Sequence, residues 1–226
     1  MKKIGDSLKE KRVLITQSND FMGPALCEAF KFYEADVYSD SRALLSQSII
    51  DEILSAAGDI DILIVNLSYP INNVNFNQID SLEWKSYFAH MVDPLPKLAK
   101  LVLPKMIKNC QGKIVVIGSA TALNGRFGNA GYNAARGAQL SWVKKMGTDM
   151  AKYNIQINYI AQAFVDNKTF FPDNTNTKKM LKEQLQYVPA ARLAQADECT
   201  ALAVFLASSE SNFFVGQCFP IAGGLV

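Results

Sequence analysis

The sequence is nearly devoid of histidine. His90 is the only one among 226 residues, and it lies in "YFAHMVD", an apolar helical pattern in which a core or surface position accounts for it. Zinc sites built from two or three histidines are therefore excluded. Ser-His-Asp or Cys-His nucleophilic chemistry would have to run through this one ring. Cysteine is sparse as well. Cys27, Cys110, Cys199 and Cys218 are far apart and form no Cys-x-x-Cys pair. They read as reduced, mostly buried thiols of a cytoplasmic protein. No apolar run approaches the roughly 18 residues of a membrane span. A charged stretch precedes the first short apolar run, which argues against a signal peptide. The formal net charge is only +2, with scattered basic residues, so neither nucleic acid nor an anionic membrane is expected as a partner. Any chemistry is left to tyrosine, serine, arginine, lysine and carboxylates, with no metal.

The composition, 49% hydrophobic and 19% charged, is that of one ordinary domain spanning residues 1–226. Short β-branched or apolar runs, "KRVLIT", "ADVYS", "DILIVNLS", "GKIVVIGS", "IQINYIAQ" and "GQCFPIAGG", read as strands. Helical spacing occupies Phe21–Tyr33, Ser41–Ala57, a long stretch from about Ser81 to Lys108, Gly131–Tyr153 and Ala194–Ser208. An Asn-rich loop, "YPINNVNFNQ", precedes the long helix. Strands and helices alternate throughout, which predicts a parallel sheet covered by helices on both faces. The segment from Ala163 to Pro189 shows no strong period, and long irregular loops in compact domains tend to be functional. Ligands of such sheets sit beyond the C-terminal strand ends. The segments to inspect are thus Thr16–Gly23, Asn66–Ser68, Ser119 onward and Gln162 onward.

Three polar residues converge by this logic. Ser119 ends a buried strand, and Tyr132 and Arg136 open the next helix as "YNAAR". The spacing of four sets phenol and guanidinium on one helical face. An adjacent positive charge favours the ionised form of an acid, so the pair suits a phenolate acting as general base near neutral pH. Ser119 is then placed to hold the oxygen being deprotonated. A plainer reading also fits the residues alone: a loop-starting hydroxyl and an exposed helix pair.

Ser119, with Tyr132 thirteen positions on and a basic residue four positions later, resembles the short-chain dehydrogenase/reductase superfamily, and the resemblance covers nearly the whole chain. It implies an α/β, Rossmann-like, doubly wound parallel sheet of about seven strands flanked by helices on both faces. The departures are informative. The superfamily pairs its tyrosine with lysine, whereas Arg136 stands here, and the two differ in geometry and hydration. Its first loop is Thr-Gly-x-x-x-Gly-x-Gly. Here it reads "TQSNDFMG", with Gln17 and Phe21 where glycines would let the backbone approach a pyrophosphate. An asparagine of its central helix falls at Met91.

Thr-x-x-x-x-Phe-x-Gly together with Ser–Tyr–Arg resembles the halohydrin dehalogenases. That resemblance implies conversion of a vicinal haloalcohol to an epoxide plus halide with no cofactor. The reverse reaction, epoxide opening by halide, azide, cyanide or nitrite, is implied as well. Ser119 would hydrogen-bond the substrate hydroxyl, Tyr132 would remove its proton, and Arg136 would favour the phenolate and pass the proton toward solvent. The halide would lie where a nicotinamide sits in the superfamily, bounded by Phe21, Gln162, Ala163, Phe164, Val165 and Phe170. Backbone N–H groups of Phe164 and Val165, and electropositive ring edges, would face it. Thr121 and Asn129 are expected in the substrate pocket, and a homotetramer is implied. Two other readings are kept: an atypical nicotinamide-dependent reductase and a silent binding relative. Asp40 keeps the reductase open as a ribose ligand, although it reads equally as a cap for the helix from Ser41.

Overall fold

The computed structural model describes residues 5–72 and 80–226. Six parallel strands form one sheet in the order β2-β1-β3-β4-β5-β6. They are β1 (Arg12–Thr16), β2 (Asp36–Asp40), β3 (Ile62–Asn66), β4 (Gly112–Ser119), β5 (Ile155–Gln162) and β6 (Cys218–Ile221). The helices are α1 (Gly23–Phe32), α2 (Gln47–Ala57), α3 (Ser81–Met91), α4 (Pro94–Asn109), α5 (Ala130–Met150), α6 (Thr175–Leu185) and α7 (Ala196–Ala207). The doubly wound architecture is the one expected. Six strands are present among the described residues, against about seven, because the chain between β2 and β3 contributes only α2.

Side chains of a strand alternate between faces, and that alternation builds two cores. Leu14, Leu63, Val65, Ile114, Val116 and Ile157 pack under α2, α4 and α5. Val13, Ile15, Ile64, Val115, Ile117 and Ile160 pack under α1 and α7. Every residue of β3, β4 and β5 is buried, as the continuous apolar runs require of central strands covered on both sides. The strand order turns back between β1 and β3, which opens a crevice beyond their C-terminal ends.

Three helix expectations need correction. The long helix over Ser81–Lys108 is two helices. Pro94 lacks an N–H, and the Leu95 N–H bonds the Val92 carbonyl instead of that of Met91. Ser41–Ala57 becomes a helix only from Gln47, capped by Ser46, whose hydroxyl accepts from the Ile49 N–H. Asp40 therefore caps no helix. It accepts the Arg42 N–H at 2.8 Å and pairs with the Arg42 guanidinium at 3.0 Å. The segment Ala163–Pro189 contains α6, capped by Asn174 through the Thr177 N–H. No α6 residue is fully buried, which is why no core periodicity announces it. Part of the predicted Asn-rich loop, residues 73–79, lies outside the described residues.

Candidate active site

Ser119 stands at the C-terminal end of β4 and Tyr132 on the first turn of α5, which Asn129 caps by accepting the Tyr132 N–H at 2.9 Å. Both border a cavity of about 230 Å³, smaller than the roughly 300–1,000 Å³ of drug-sized ligand pockets. Ser119 Oγ accepts from the Thr121 N–H at 3.2 Å and the Thr121 hydroxyl at 3.0 Å. A hydroxyl has two acceptor sites and one proton, so the Ser119 proton is left to be donated elsewhere.

Arg136 is fully buried. Its Nε–H donates to the Tyr132 hydroxyl at 3.0 Å. Its Nη1 donates to Gln139 Oε1 at 2.9 Å and to the Ile117 carbonyl at 3.3 Å, while Nη2 has no partner among the described residues. None of these acceptors is a carboxylate. A buried guanidinium without a counter-ion is costly, and its Nε–H is aimed at the phenolic oxygen of Tyr132.

The first loop has turned inward. Gln17 is buried and its Oε1 accepts the Ser68 N–H at 2.6 Å. Asn66 Nδ2 clamps the Gln17 and Asp20 carbonyls, each at 3.0 Å. Four of the N–H groups that a phosphate loop would offer to a ligand are committed within the protein. Ser18 donates to the Asp40 carbonyl, Asp20 to Gln17, Gly23 to Asp20, and Phe21 to the Thr169 hydroxyl at 2.9 Å. Gly23 is held as glycine by close approach, because a Cβ there would collide with the Ser18 carbonyl. Arg136, turned toward Tyr132 and Gln139, does not line the cavity.

At the opposite wall, Phe21 packs edge-to-face on Phe170 with centroids 5.2 Å apart. Phe164 does the same against Phe127 at 5.0 Å. Gln162, Ala163, Phe164, Val165 and Thr121 also border the cavity. Phe164 adopts φ 51°. Its carbonyl accepts from Ala194 and the Asp166 N–H donates to Ala194. The N–H groups of Phe164 and Val165 have no acceptor among the described residues. Successive N–H groups beside a left-handed residue form an anion-binding concavity.

Asn129 does not line the cavity. Its amide is consumed by the helix cap and by the Asn72 carbonyl and Tyr87 hydroxyl, at 2.7 and 2.8 Å. Three neighbours escaped the sequence reading. Gln139 holds Arg136. Tyr159 on β5 lies over Gly118, where a Cβ would collide with its ring, and its hydroxyl accepts the Ser119 N–H at 2.8 Å. Burial pushes the Tyr159 phenol well above its ordinary value, against the opposing charge of Arg136. Met180 of α6 also reaches the cavity. The glycine before Ser119 was the one available signal, and only the register of β4 on β5 shows what fills its space.

Residues 14–226 match the family model described as enoyl-(acyl carrier protein) reductase. The chain belongs to that family, within the short-chain dehydrogenases/reductases. A 3-oxoacyl-(acyl-carrier-protein) reductase FabG from Buchnera aphidicola subsp. Baizongia pistaciae (strain Bp) is 30% identical over 176 residues, 78% of this chain and 70% of that protein. Among solved structures, a gluconate 5-dehydrogenase from Burkholderia cenocepacia J2315, in complex with NADP and tartrate, superposes with a TM-score of 0.86 at 25% identity, covering 98% of this chain and 97% of that one. A dehalogenation enzyme superposes with a TM-score of 0.82 at 24% identity, covering 97% of this chain and 100% of that one, a likeness of fold.

Proposed function

We propose that this chain, as one domain, converts vicinal haloalcohols to epoxides and halide without a cofactor, and runs the reverse opening of epoxides by small anions. The observation that carries the reading is the buried Arg136, bonded to Tyr132 and to no carboxylate among the described residues, beside a first loop whose Ser18, Asp20, Phe21 and Gly23 N–H groups are already used. Ser119 donates its proton to the substrate oxygen, and the Tyr132 phenolate accepts the hydroxyl proton. The alkoxide attacks the adjacent carbon from the back, and the carbon–halogen pair leaves as halide. Haloalcohol becomes epoxide, halide and a proton held on Tyr132, which then passes toward solvent along the Arg136 side. The halide lies against Phe21, Phe164, Phe170 and the free N–H groups of Phe164 and Val165. We further propose a homotetramer, to which the exposed Leu82 and Trp84 of α3 and Leu101 of α4 offer apolar surface.

A reductase is the second reading, favoured by the named FabG relative. The deciding experiment mixes purified protein with chloro- and bromoalcohols such as 1,3-dichloro-2-propanol, with no nicotinamide added, and measures halide. Release supports the dehalogenase. No halide from the whole panel, with NADPH consumed on adding a ketone, establishes the reductase instead.

A further inference from the structure

Arg136 can act on Tyr132 only if its guanidinium plane is fixed, because the long side chain has several rotatable bonds and a planar fork of donors. On α5, Gln139 lies three residues beyond Arg136 and seven beyond Tyr132, which places all three on one face. Gln139 is fully buried. Its Oε1 accepts from Arg136 Nη1 at 2.9 Å, and its Nε2 donates to the Met91 carbonyl at 2.6 Å. That carbonyl is free because the helix is interrupted before Pro94, and the Leu95 N–H has turned to Val92. The interruption between α3 and α4 thus anchors the carboxamide that orients the guanidinium.

The charge of Gln139 matters as much as its place. Other groups pack against the pair. Tyr159 of β5 is kept neutral by burial. Tyr87 of α3 meets the Tyr132 ring edge-to-face at 5.9 Å and donates its hydroxyl to Glu83 at 3.0 Å. No carboxylate among the described residues hydrogen-bonds Arg136. A neutral acceptor at position 139 orients the cation without neutralising it.

We infer that Gln139 is a positioning residue. It aims the Arg136 guanidinium at the Tyr132 oxygen by bridging it to the Met91 carbonyl, and as a carboxamide it leaves the positive charge to that oxygen. This rests on the proposed role of Tyr132 as base. Gln139→Glu keeps the shape, adds a counter-ion to Arg136 and gives up the donor to the Met91 carbonyl, whereas Gln139→Leu removes both bonds. Cofactor-free halide release is followed against pH for both variants. A substrate-free readout, the tyrosinate absorbance of each protein minus that of its Tyr132→Phe derivative, is recorded in parallel, with circular dichroism to check folding. In Gln139→Glu the acidic limb of the rate profile and the tyrosinate titration both move upward by about one pH unit or more, as a neutralised neighbouring charge predicts. In Gln139→Leu, kcat falls by about tenfold or more with KM near that of the parent, as expected for a misaligned base. A folded Gln139→Glu protein with the parental tyrosinate titration overturns the inference. If Gln139→Leu does not fold, Gln139→Glu decides alone. If the parent releases no halide, the reaction assignment fails, and the tyrosinate titration still decides the role of Gln139.

Discussion

The Nε–H of Arg136 donates to the Tyr132 hydroxyl across one turn of α5 at 3.0 Å, with the arginine fully buried and no carboxylate among the described residues bonded to it. In short-chain dehydrogenases a lysine at this place also serves the nicotinamide ribose. Here the cation bonds Tyr132 and Gln139 on its own helix and the Ile117 carbonyl of β4.

Removing the phenol tests the proposed base. Tyr132→Phe should lower cofactor-free halide release by about 100-fold or more, the range in which general bases contribute. Arg136→Lys should depress the rate and displace its pH optimum, since a lysine cannot reproduce the planar fork. Activity and pH profile unchanged in Arg136→Lys would remove the arginine from the mechanism.

Phe21 contributes a ring to the cavity and braces Phe170. Phe21→Ala should therefore raise the bromide concentration needed for half-maximal inhibition several-fold. Equal bromide inhibition in variant and parent would take Phe21 out of the anion site.

Gly118 leaves room for the ring of Tyr159, whose hydroxyl accepts the Ser119 N–H. Gly118→Ala forces a side chain into that ring, and overpacking of this kind costs about 1–3 kcal/mol. Urea denaturation should show the midpoint falling accordingly. The double variant Gly118→Ala, Tyr159→Phe should not restore it, because ring carbons of residue 159 lie in the clash as well as the hydroxyl.

Lys113, away from the cavity, gives a pH prediction. Its Nζ donates to Ser211 Oγ at 3.0 Å and Asn212 Oδ1 at 2.7 Å, and burial lowers its pKa from 10.5 to about 8 against the opposing pull of Glu210. Between those values the unfolded chain holds the proton and the folded one has released it, so the lysine's contribution to stability rises with pH. The stability of the parent minus that of Lys113→Met should climb between about pH 8 and pH 10.5 and flatten on either side. A difference independent of pH across that window would contradict the shift.

Much of the architecture was legible because local periodicity carries it. β3, β4 and β5 are fully buried as their continuous apolar runs required, and α5 begins one residue before the predicted start, on its Asn129 cap. What escaped depends on competition between partners. The spacing over Ser81–Lys108 is helical throughout, yet Pro94 breaks it. Asn129 reads as a pocket residue from its place between Ser119 and Tyr132, but its side chain is used up by the cap, Asn72 and Tyr87. Asp40 reads as a cap or a ribose ligand, and Arg42 claims it.

The sequence by itself determined the alternation of strands and helices and the pairing of Tyr132 with Arg136, because both follow from the fixed rise and turn of a single segment. Only the tertiary structure decided that the Phe21 N–H meets the Thr169 hydroxyl 148 residues away, that Tyr159 fills the space above Gly118, and that Gln139 ties Arg136 to the end of α3. Those contacts depend on strand order and on how the helices seat against the sheet, and no periodicity within one segment encodes which distant segment will arrive beside it.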